Sequence, residues 1–382
     1  MNQPLYDLSP VLHIMLMGVV VALGPLSWMW LRNKRAIPAR RLQALTLLVL
    51  FLTFDLVLFG AFTRLTDSGL GCPDWPGCYG QASPTGAHAQ IEQAQSAMPT
   101  GPVTHQKAWI EMIHRYLATA VGVLILTLTA GTWVLRRRGA AVSPWWPTVT
   151  LLWVSFQGAL GAWTVTMKLF PAVVTMHLLA GLVLLALLCR QAVAYEHAQQ
   201  GRAPVPMPSG SRAWLLLAAA LVWLQAALGG WVSTNYAVLA CSDFPACQGS
   251  WWPAMDFRQG FELWRELGLS GSGEHIGFAA LTAIHYAHRL AAYAVLAALG
   301  LAAWQLGRVD ALRRQAGLLA ALAVWQLATG VSNVLFDWPV AVAVAHTGGA
   351  AGLVLALAWA LGETRRAAAP RPASAEARAR SA

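Results

Sequence analysis

Hydrophobic residues occur in long runs along this chain, separated by connections that hold most of the charged residues. A helix needs about 20 apolar residues to cross the ~30 Å hydrocarbon core of a membrane. Of the 382 residues, 57% are hydrophobic and 11% are charged, which is too apolar for a soluble protein of this length. The pattern therefore predicts an all-α polytopic membrane protein. The nine predicted helices lie at about residues 11–31, 42–63, 106–135, 145–167, 171–193, 213–235, 277–306, 312–335 and 340–361.

The positions of the basic residues explain the net charge of +10. Of the 26 Lys and Arg residues, 19 lie in alternate connections or after the last run, on one side of the predicted membrane. This bias marks the cytoplasmic face. We therefore expect a protein of the bacterial inner membrane, with a cytoplasmic C-terminus, a periplasmic N-terminus and membrane lipid rather than nucleic acid as its partner.

The first run is either a signal peptide or an additional transmembrane helix. A signal peptide has positive charges before its apolar run, whereas here Arg32, Lys34 and Arg35 follow it. We therefore predict an extra N-terminal helix with a basic loop, a first four-helix half, a linker, a second four-helix half and a disordered basic tail. In chain order these segments are residues 1–41, 42–195, 196–212, 213–362 and 363–382.

One constellation of residues occurs twice. Each copy has a Cys-x-Asp-aromatic-Pro-x-Cys loop, a His-Arg pair in the following helix and a further histidine in the last helix of the half. Both the cysteines and the last histidines of the two copies are 169 residues apart. Because four helices separate the copies, both enter the membrane in the same direction, which predicts a pseudo-twofold axis along the membrane normal. The members are Cys72, Cys78, His114, Arg115 and His177, then Cys241, Cys247, His288, Arg289 and His346.

The four histidines lie at similar depths, ~9–17 Å from the predicted outer ends of their helices. A histidine inside a membrane is costly unless it is paired or bound to a ligand. Two histidines on facing helices can supply both axial nitrogens of one haem iron. The alternatives are hydrogen bonds to neighbouring helices, or zinc, for which two histidines without a third ligand make a poor site. The histidines therefore predict two haem sites, with His114 and His177 in the first half and His288 and His346 in the second.

The arginines and cysteines of the constellation have several interpretations. Arg115 and Arg289 each follow a ligand candidate, and we expect them to bind haem propionates, with snorkelling to lipid headgroups as the alternative. The cysteine loops face an oxidising compartment, where each pair can form a local disulfide. Redox-active dithiols and thiols that contact a substrate are the other interpretations. The predicted disulfides are Cys72–Cys78 and Cys241–Cys247.

The two halves differ one turn before the first histidine of each pair. Glu111 lies three residues before His114, whereas His285 stands at the equivalent position before His288. A carboxylate there can stabilise positive charge or accept a proton from a bound substrate, although a salt bridge to Arg115 is the simpler interpretation. His285 is either a partner of the cofactor ligands or a packing residue. The remaining histidines have no counterpart, and we expect them to be solvated: His13, His88, His105, His197 and His275.

Two segments carry a resemblance to a known family. The sequence Gly-Ala-Phe-Thr-Arg-Leu-Thr-Asp-Ser-Gly-Leu-Gly-Cys-Pro-Asp-Trp-Pro at residues 60–76, with Glu-Met-Ile-His-Arg at 111–115, resembles the haem A synthases over about residues 42–362. The resemblance implies two four-helix halves, of which the first oxidises the C8 methyl group of haem O to a formyl group in two steps. Haem A made in this way serves terminal oxidases.

The resemblance also implies roles for single residues. His114 and His177 would hold the substrate haem O, His288 and His346 would ligate haem B, and Glu111 would be the catalytic carboxylate. The implied partner is the haem O synthase that supplies the substrate. The electron acceptor, a quinol or another carrier, stays open, as does the choice between a single chain and a homo-oligomer. A b-type cytochrome with bis-histidine haems and a haem-delivery protein are the competing functions.

Overall fold

The computed structural model describes residues 9–140 and 142–367, and most of this part of the chain is helical. Two short 3-10 turns lie at Ala237–Ala240 and Asp310–Leu312, and long irregular connections join some of the helices. The helices are α1 (Ser9–Arg32), α2 (Pro38–Leu65), α3 (His88–Ala97), α4 (His105–Arg137), α5 (Trp145–Thr166), α6 (Pro171–Gln200), α7 (Ser209–Thr234), α8 (Phe257–Gly260), α9 (Phe278–Gly307), α10 (Arg313–Leu335) and α11 (Val340–Glu363), and the strands are β1 (Val205–Met207) and β2 (Thr364–Arg366).

Each of the nine predicted apolar runs is a helix in the structure, with ends that differ by a few residues. Among the described residues, eight of these helices are long and apolar enough to cross a membrane. The ninth, α5, is the shortest, with 22 residues, and it contains no charged residue but several Thr residues together with Ser and Gln. The chain is therefore a multi-pass membrane protein. The sequence does not predict the short helices α3 and α8, because they lie in polar connections without an apolar run.

The helices of each half pack around one another in sequence order. In the first half α2 contacts α4 and α6, and α5 contacts the same two helices; in the second half α7, α9, α10 and α11 repeat these contacts. Between the halves α6 packs on α11, α2 packs on α11 and α6 packs on α7. The additional helix α1 lies outside both groups and packs on α4.

Buried side chains fill the space between these helices. The core of the first half contains large residues such as Leu124, Ile125 and Leu188. The core of the second half is rich in alanine, for example Ala302 and Ala351, both almost completely buried. Since lipid is as apolar as these side chains, close packing stabilises such helix contacts, and small residues permit it.

Two contacts between the halves join residues that occupy equivalent positions in the sequence repeat. Arg64 Nη2 donates to the carbonyl oxygen of Ser233 at 2.6 Å, and Tyr236 Oη donates to Asp67 Oδ1 at 2.6 Å. In each pair the two residues are 169 positions apart, the same separation as between the cysteines of the two loops. The Arg64 guanidinium also lies 4.1 Å from the centre of the Tyr236 ring. The connections after α2 and α7 therefore meet at one end of the protein, which we call the disulfide end.

At the opposite end, β1 in the linker pairs in parallel with β2, which directly follows α11. Arg212 Nη1 donates to the carbonyl oxygen of Thr364 at 2.7 Å. Glu363 accepts a hydrogen bond from His197 at 2.9 Å and forms an ion pair with Arg202 at 3.4 Å. The linker and the end of the last helix are thus fastened together.

These contacts correct two predictions from the sequence. The start of the predicted disordered tail, Thr364–Arg366, is a strand, because the linker offers its backbone a partner. His197 is not solvated, because its ring lies against Glu363 and is 11% exposed. Residues 1–8 and 368–382, which include the predicted periplasmic N-terminus and most of the predicted tail, lie outside the described residues.

The packing of α1 can be tested at Gly18. A Cβ added there would overlap the side chain of Thr119 in α4, whereas a Cβ at Gly24 in the same helix would meet nothing within 4 Å. We expect Gly18→Val to lower the free energy of unfolding by about 1–3 kcal/mol through overpacking. Thermal unfolding of the purified protein measures the effect. Gly24→Val is the control, and an equal loss in both variants would contradict the close contact between α1 and α4.

Candidate functional site

The first histidine of each pair packs against a glycine of a neighbouring helix. A Cβ at Gly60 in α2 would lie 3.0 Å from Nε2 of His114, and one at Gly229 in α7 would lie 3.0 Å from Cε1 of His288. These separations are shorter than a normal van der Waals contact. The glycine therefore allows the imidazole to lie directly against the backbone of the next helix.

The second histidine of each pair has the same surroundings. A Cβ at Gly161 in α5 would lie 3.2 Å from His177, and one at Gly330 in α10 would lie 3.3 Å from His346. All four predicted ligands therefore occupy equivalent places. Each is an imidazole in one helix that faces a glycine in the next.

A glutamine stands four residues before three of these four glycines. Gln157 and Gln326 each donate from Nε2 to the main-chain oxygen of the facing histidine, His177 and His346, at 2.9 Å. Gln225 makes the same bond to His288 at 3.0 Å. The 169-residue repeat of the sequence marks only Gln157 and Gln326, because the position equivalent to Gln225 is a leucine, Leu56.

A hydrogen bond orients the ring of His346. Its Nδ1 lies 2.8 Å from Oγ1 of Thr329, and the same hydroxyl donates to the main-chain oxygen of Trp325 at 2.7 Å. Since the hydroxyl proton is used in that second bond, Oγ1 accepts from an Nδ1–H of the imidazole. This tautomer leaves a free electron pair on Nε2, the form in which histidine binds a metal.

The first half lacks this bond. Its residue equivalent to Thr329 is Leu160, which is buried and apolar. Nδ1 of His177 is also buried, and no described residue is its hydrogen-bond partner. His114 instead stacks on the ring of Phe59, with ring centroids 6.2 Å apart. The ligand candidates of the second half are therefore held by more polar contacts than those of the first.

The spacing of the second pair agrees with ligation of one metal. The ring centroids of His288 and His346 are 6.5 Å apart, and their planes cross at 80°. Two imidazoles on opposite sides of one metal, with bonds of ~2 Å and ring radii of ~1 Å, have centroids ~6 Å apart. The residues present thus fit the two axial ligands of a haem iron.

Glu111 is buried at the disulfide end of α4. Its Oε1 forms a salt bridge with Arg115, and its Oε2 accepts a hydrogen bond from the main-chain nitrogen of Cys72 at 2.7 Å. The salt bridge between Glu111 and Arg115, which is the simpler interpretation of Glu111 in the sequence, is therefore present. The carboxylate also ties α4 to the first cysteine loop.

His285 has a similar task in the second half. Its Nδ1 lies 3.0 Å from the main-chain oxygen of Ala237, in the connection after α7. The residue is 5% exposed. The two positions that differ chemically, Glu111 and His285, both attach their helix to the preceding connection.

Arg115 and Arg289 contact the cysteine loops, and their binding of propionates stays a prediction. Each guanidinium group donates to main-chain oxygens of the loop in its own half, so these donors stabilise the loop backbone. The acceptors are Pro76 and Gly77 for Arg115, and Cys241, Asp243 and Ala246 for Arg289.

Each cysteine loop is closed by a disulfide bond, Cys72–Cys78 in the first half and Cys241–Cys247 in the second. Inside the second loop the carboxylate of Asp243 accepts from the main-chain nitrogens of Gly249 and Gln248 at 2.9 and 2.7 Å. These bonds lower the pKa of Asp243. The stabilisation is therefore present at neutral pH and is lost only as the pH falls through this lowered value.

The fold and these contacts define a helical membrane protein with a repeated pair of partly buried histidines, one pair in each half. The COX15-CtaA family of cytochrome oxidase assembly proteins matches residues 43–358. The chain belongs to this family.

Several relatives are similar along most of their length. A protein of Shewanella oneidensis named "Heme A synthase" is 39% identical over 319 residues, which cover 81% of this chain and 92% of the relative. Proteins with the same name from Caulobacter vibrioides and Mesorhizobium japonicum are 29% and 30% identical, over 82% and 78% of this chain and 93% and 84% of their own.

The loop contacts of Arg289 can be tested by Arg289→Met. We expect the variant to lose about 2 kcal/mol or more of unfolding free energy, because three main-chain oxygens lose a charged donor. Arg258→Met, at an exposed position of the same connection, is the control. Thermal unfolding of the purified proteins measures both, and equal stability of the two variants would show that the arginine does not hold the loop.

Proposed function

We propose that this protein is a haem A synthase, an oxidoreductase that converts the C8 methyl group of haem O into a formyl group. The observation that carries the proposal is the doubled histidine pair, with every imidazole seated against a glycine, in a chain of this family. Relatives that cover most of the chain bear the corresponding name. With water as the source of oxygen, the reaction removes four electrons from the substrate and releases four protons, two from the methyl group and two from water, so both electrons and protons must leave the site.

The proposal assigns different tasks to the two halves. His114 and His177 would bind haem O as the substrate, and His288 and His346 would hold a resident haem B, which would supply electron transfer. The bond from His346 to Thr329 supports this division, because a permanent ligand gains from a partner that fixes its tautomer. The unpartnered Nδ1 of His177 suits a ligand that must release its product.

Glu111 is the proposed catalytic carboxylate of the first half. It lies one turn before His114 and is 4% exposed. Its equivalent in the second half, His285, carries no negative charge. Its two hydrogen-bonded oxygens hold the carboxylate in a fixed place. A proton from the substrate site would be accepted on Oε1 or Oε2 and shared with this network. Arg115 would balance the negative charge when no proton is bound.

The proposal also includes the arrangement of the halves in the membrane. The pairing of Arg64 and Asp67 with their counterparts supports a pseudo-twofold axis along the membrane normal at the disulfide end. The bias of basic residues supports an inner-membrane protein with the disulfide end in the periplasm. Haem O would reach the first half from a haem O synthase.

Pigment analysis of cells that express the protein together with a haem O synthase tests the activity. We expect haem A, identified by mass after extraction, and haem B in the purified protein. Haem B alone, with no modified haem, would identify an electron-transfer cytochrome instead. Transfer of unmodified haem O to a partner would identify a haem-delivery protein.

Glu111→Gln tests the catalytic carboxylate. The amide keeps an oxygen for the contact with Arg115 but cannot accept a proton, and we expect haem A output to fall about 100-fold or more. Bound haem B should remain, which shows that the variant is folded. Glu266→Gln, at an exposed position, is the control. Unchanged haem A output in Glu111→Gln would remove Glu111 from the mechanism.

Thr329→Val tests the positioning of His346. Without its acceptor the imidazole donates less electron density, so we expect a higher reduction potential for the resident haem and about tenfold weaker haem retention. Thr329→Ser should restore both quantities. Thr347→Val removes a hydroxyl that bonds only to its own helix and is the control. A potential that does not differ from the wild type in Thr329→Val would contradict this role.

A further inference from the structure

Three side chains at the disulfide end form a cluster that the proposed function does not use. They are His88 and Glu92 in α3 and His105 at the start of α4. His88 is exposed and His105 is partly exposed, as the sequence predicts, but the two rings lie against each other. We propose that this cluster is a binding site for a divalent transition-metal ion such as Zn²⁺.

The distances within the cluster suit metal ligands. His105 Nε2 lies 3.0 Å from Oε2 of Glu92, and the ring centroids of His88 and His105 are 4.5 Å apart. One nitrogen or oxygen from each residue can be chosen so that all three lie within 4.8 Å of one another. Ligands of one tetrahedral Zn²⁺, at bonds of about 2.0–2.1 Å, lie ~3.4 Å apart. Small rotations of these exposed or half-exposed side chains reach that spacing.

The chemistry of the three groups favours zinc or a similar ion. Two imidazoles and one carboxylate form a set of three protein ligands that leaves a fourth position for water. Imidazole nitrogen selects transition metals over Mg²⁺ and Ca²⁺, which prefer oxygen. The site differs from the membrane histidine pairs, because those offer two nitrogens and no carboxylate ligand within each pair.

The backbone already holds the three residues in place. His88 and Glu92 are four positions apart and therefore lie on the same face of α3. Ile91 of that helix is completely buried in the cluster that contains Cys72 and Met112. The main-chain nitrogen of His105 donates to the side chain of Gln95 in α3 at 2.9 Å. Binding would thus need only side-chain movement.

The pair of Glu92 and His105 does not by itself explain the cluster. Its side chains are 58% and 30% exposed, and an exposed ion pair contributes little to stability. It also gives no role to His88, whose ring lies against His105 and would repel it if both were protonated. A shared cation accounts for all three residues.

Among the described residues, the second half offers no equivalent cluster. Its corresponding connection contains the short helix α8 and one histidine, His275, which is exposed. A metal would therefore fasten α3 to the start of α4 only in the first half. Glu111 lies six residues after His105 in the same helix, so the ion would stabilise the connection that covers Glu111.

Zinc titration of the full-length protein tests the proposal. The protein is purified without a histidine tag, treated with a chelator that is then removed, and titrated with ZnCl₂ in a calorimeter. We expect one Zn²⁺ per chain, and about tenfold or more weaker binding in each of His88→Ala, Glu92→Gln and His105→Ala. His275→Ala is the matched control and should bind as the wild type does.

X-ray absorption at the zinc edge identifies the ligands without interference from haem iron. We expect two imidazoles in the wild type and one in His88→Ala, and a Zn²⁺-dependent rise in melting temperature that the three variants lose. Unfolding in the presence of chelator confirms that the variants are folded. Zinc binding that survives all three substitutions, or a wild type that binds no zinc, would overturn the proposal.

Discussion

The close approach of an imidazole to a bare helix backbone is the contact on which both halves depend. Four times, a glycine leaves the space into which the histidine of the next helix fits. In three cases a glutamine one turn earlier donates to the main-chain oxygen of that histidine, as Gln225 does to His288. Together these contacts set both the distance and the rotation of neighbouring helices. They also give the amide nitrogen of each glutamine an acceptor inside a membrane, where no water can do so.

The halves share these backbone contacts and differ in the groups that surround the ring nitrogens. Thr329 fixes the ring of His346, whereas apolar Leu160 stands at the same place beside His177. Glu111 and its counterpart both anchor a connection, but only Glu111 brings a carboxylate. Duplication therefore preserved the scaffold, while a few side chains within it diverged. This difference in side chains around the histidines permits one half to keep a bound ligand and the other half to exchange one.

The helices can be predicted from the sequence because each is a long apolar run, and the repeat of cysteines and histidines identifies the two halves. Contacts are harder to predict. A helix that is apolar on all sides gives no periodic signal of its rotation, so the bond between Thr329 and His346 leaves no trace in the pattern. The path of a polar connection is equally hidden, which is why the sequence does not predict the bonds from Arg289 to its cysteine loop or the contact between His88 and His105. The Gln-x-x-x-Gly repeat is the one signal that could locate Gln225 in advance.

The parallel strands β1 and β2 have a consequence for how the protein is made. One strand lies in the linker between the halves and the other directly follows the last helix. Because β2 follows α11, the pair cannot form until every described membrane helix has been synthesised. It is therefore a late event in biogenesis, and it closes the second half, from the linker to the end of α11, into a loop.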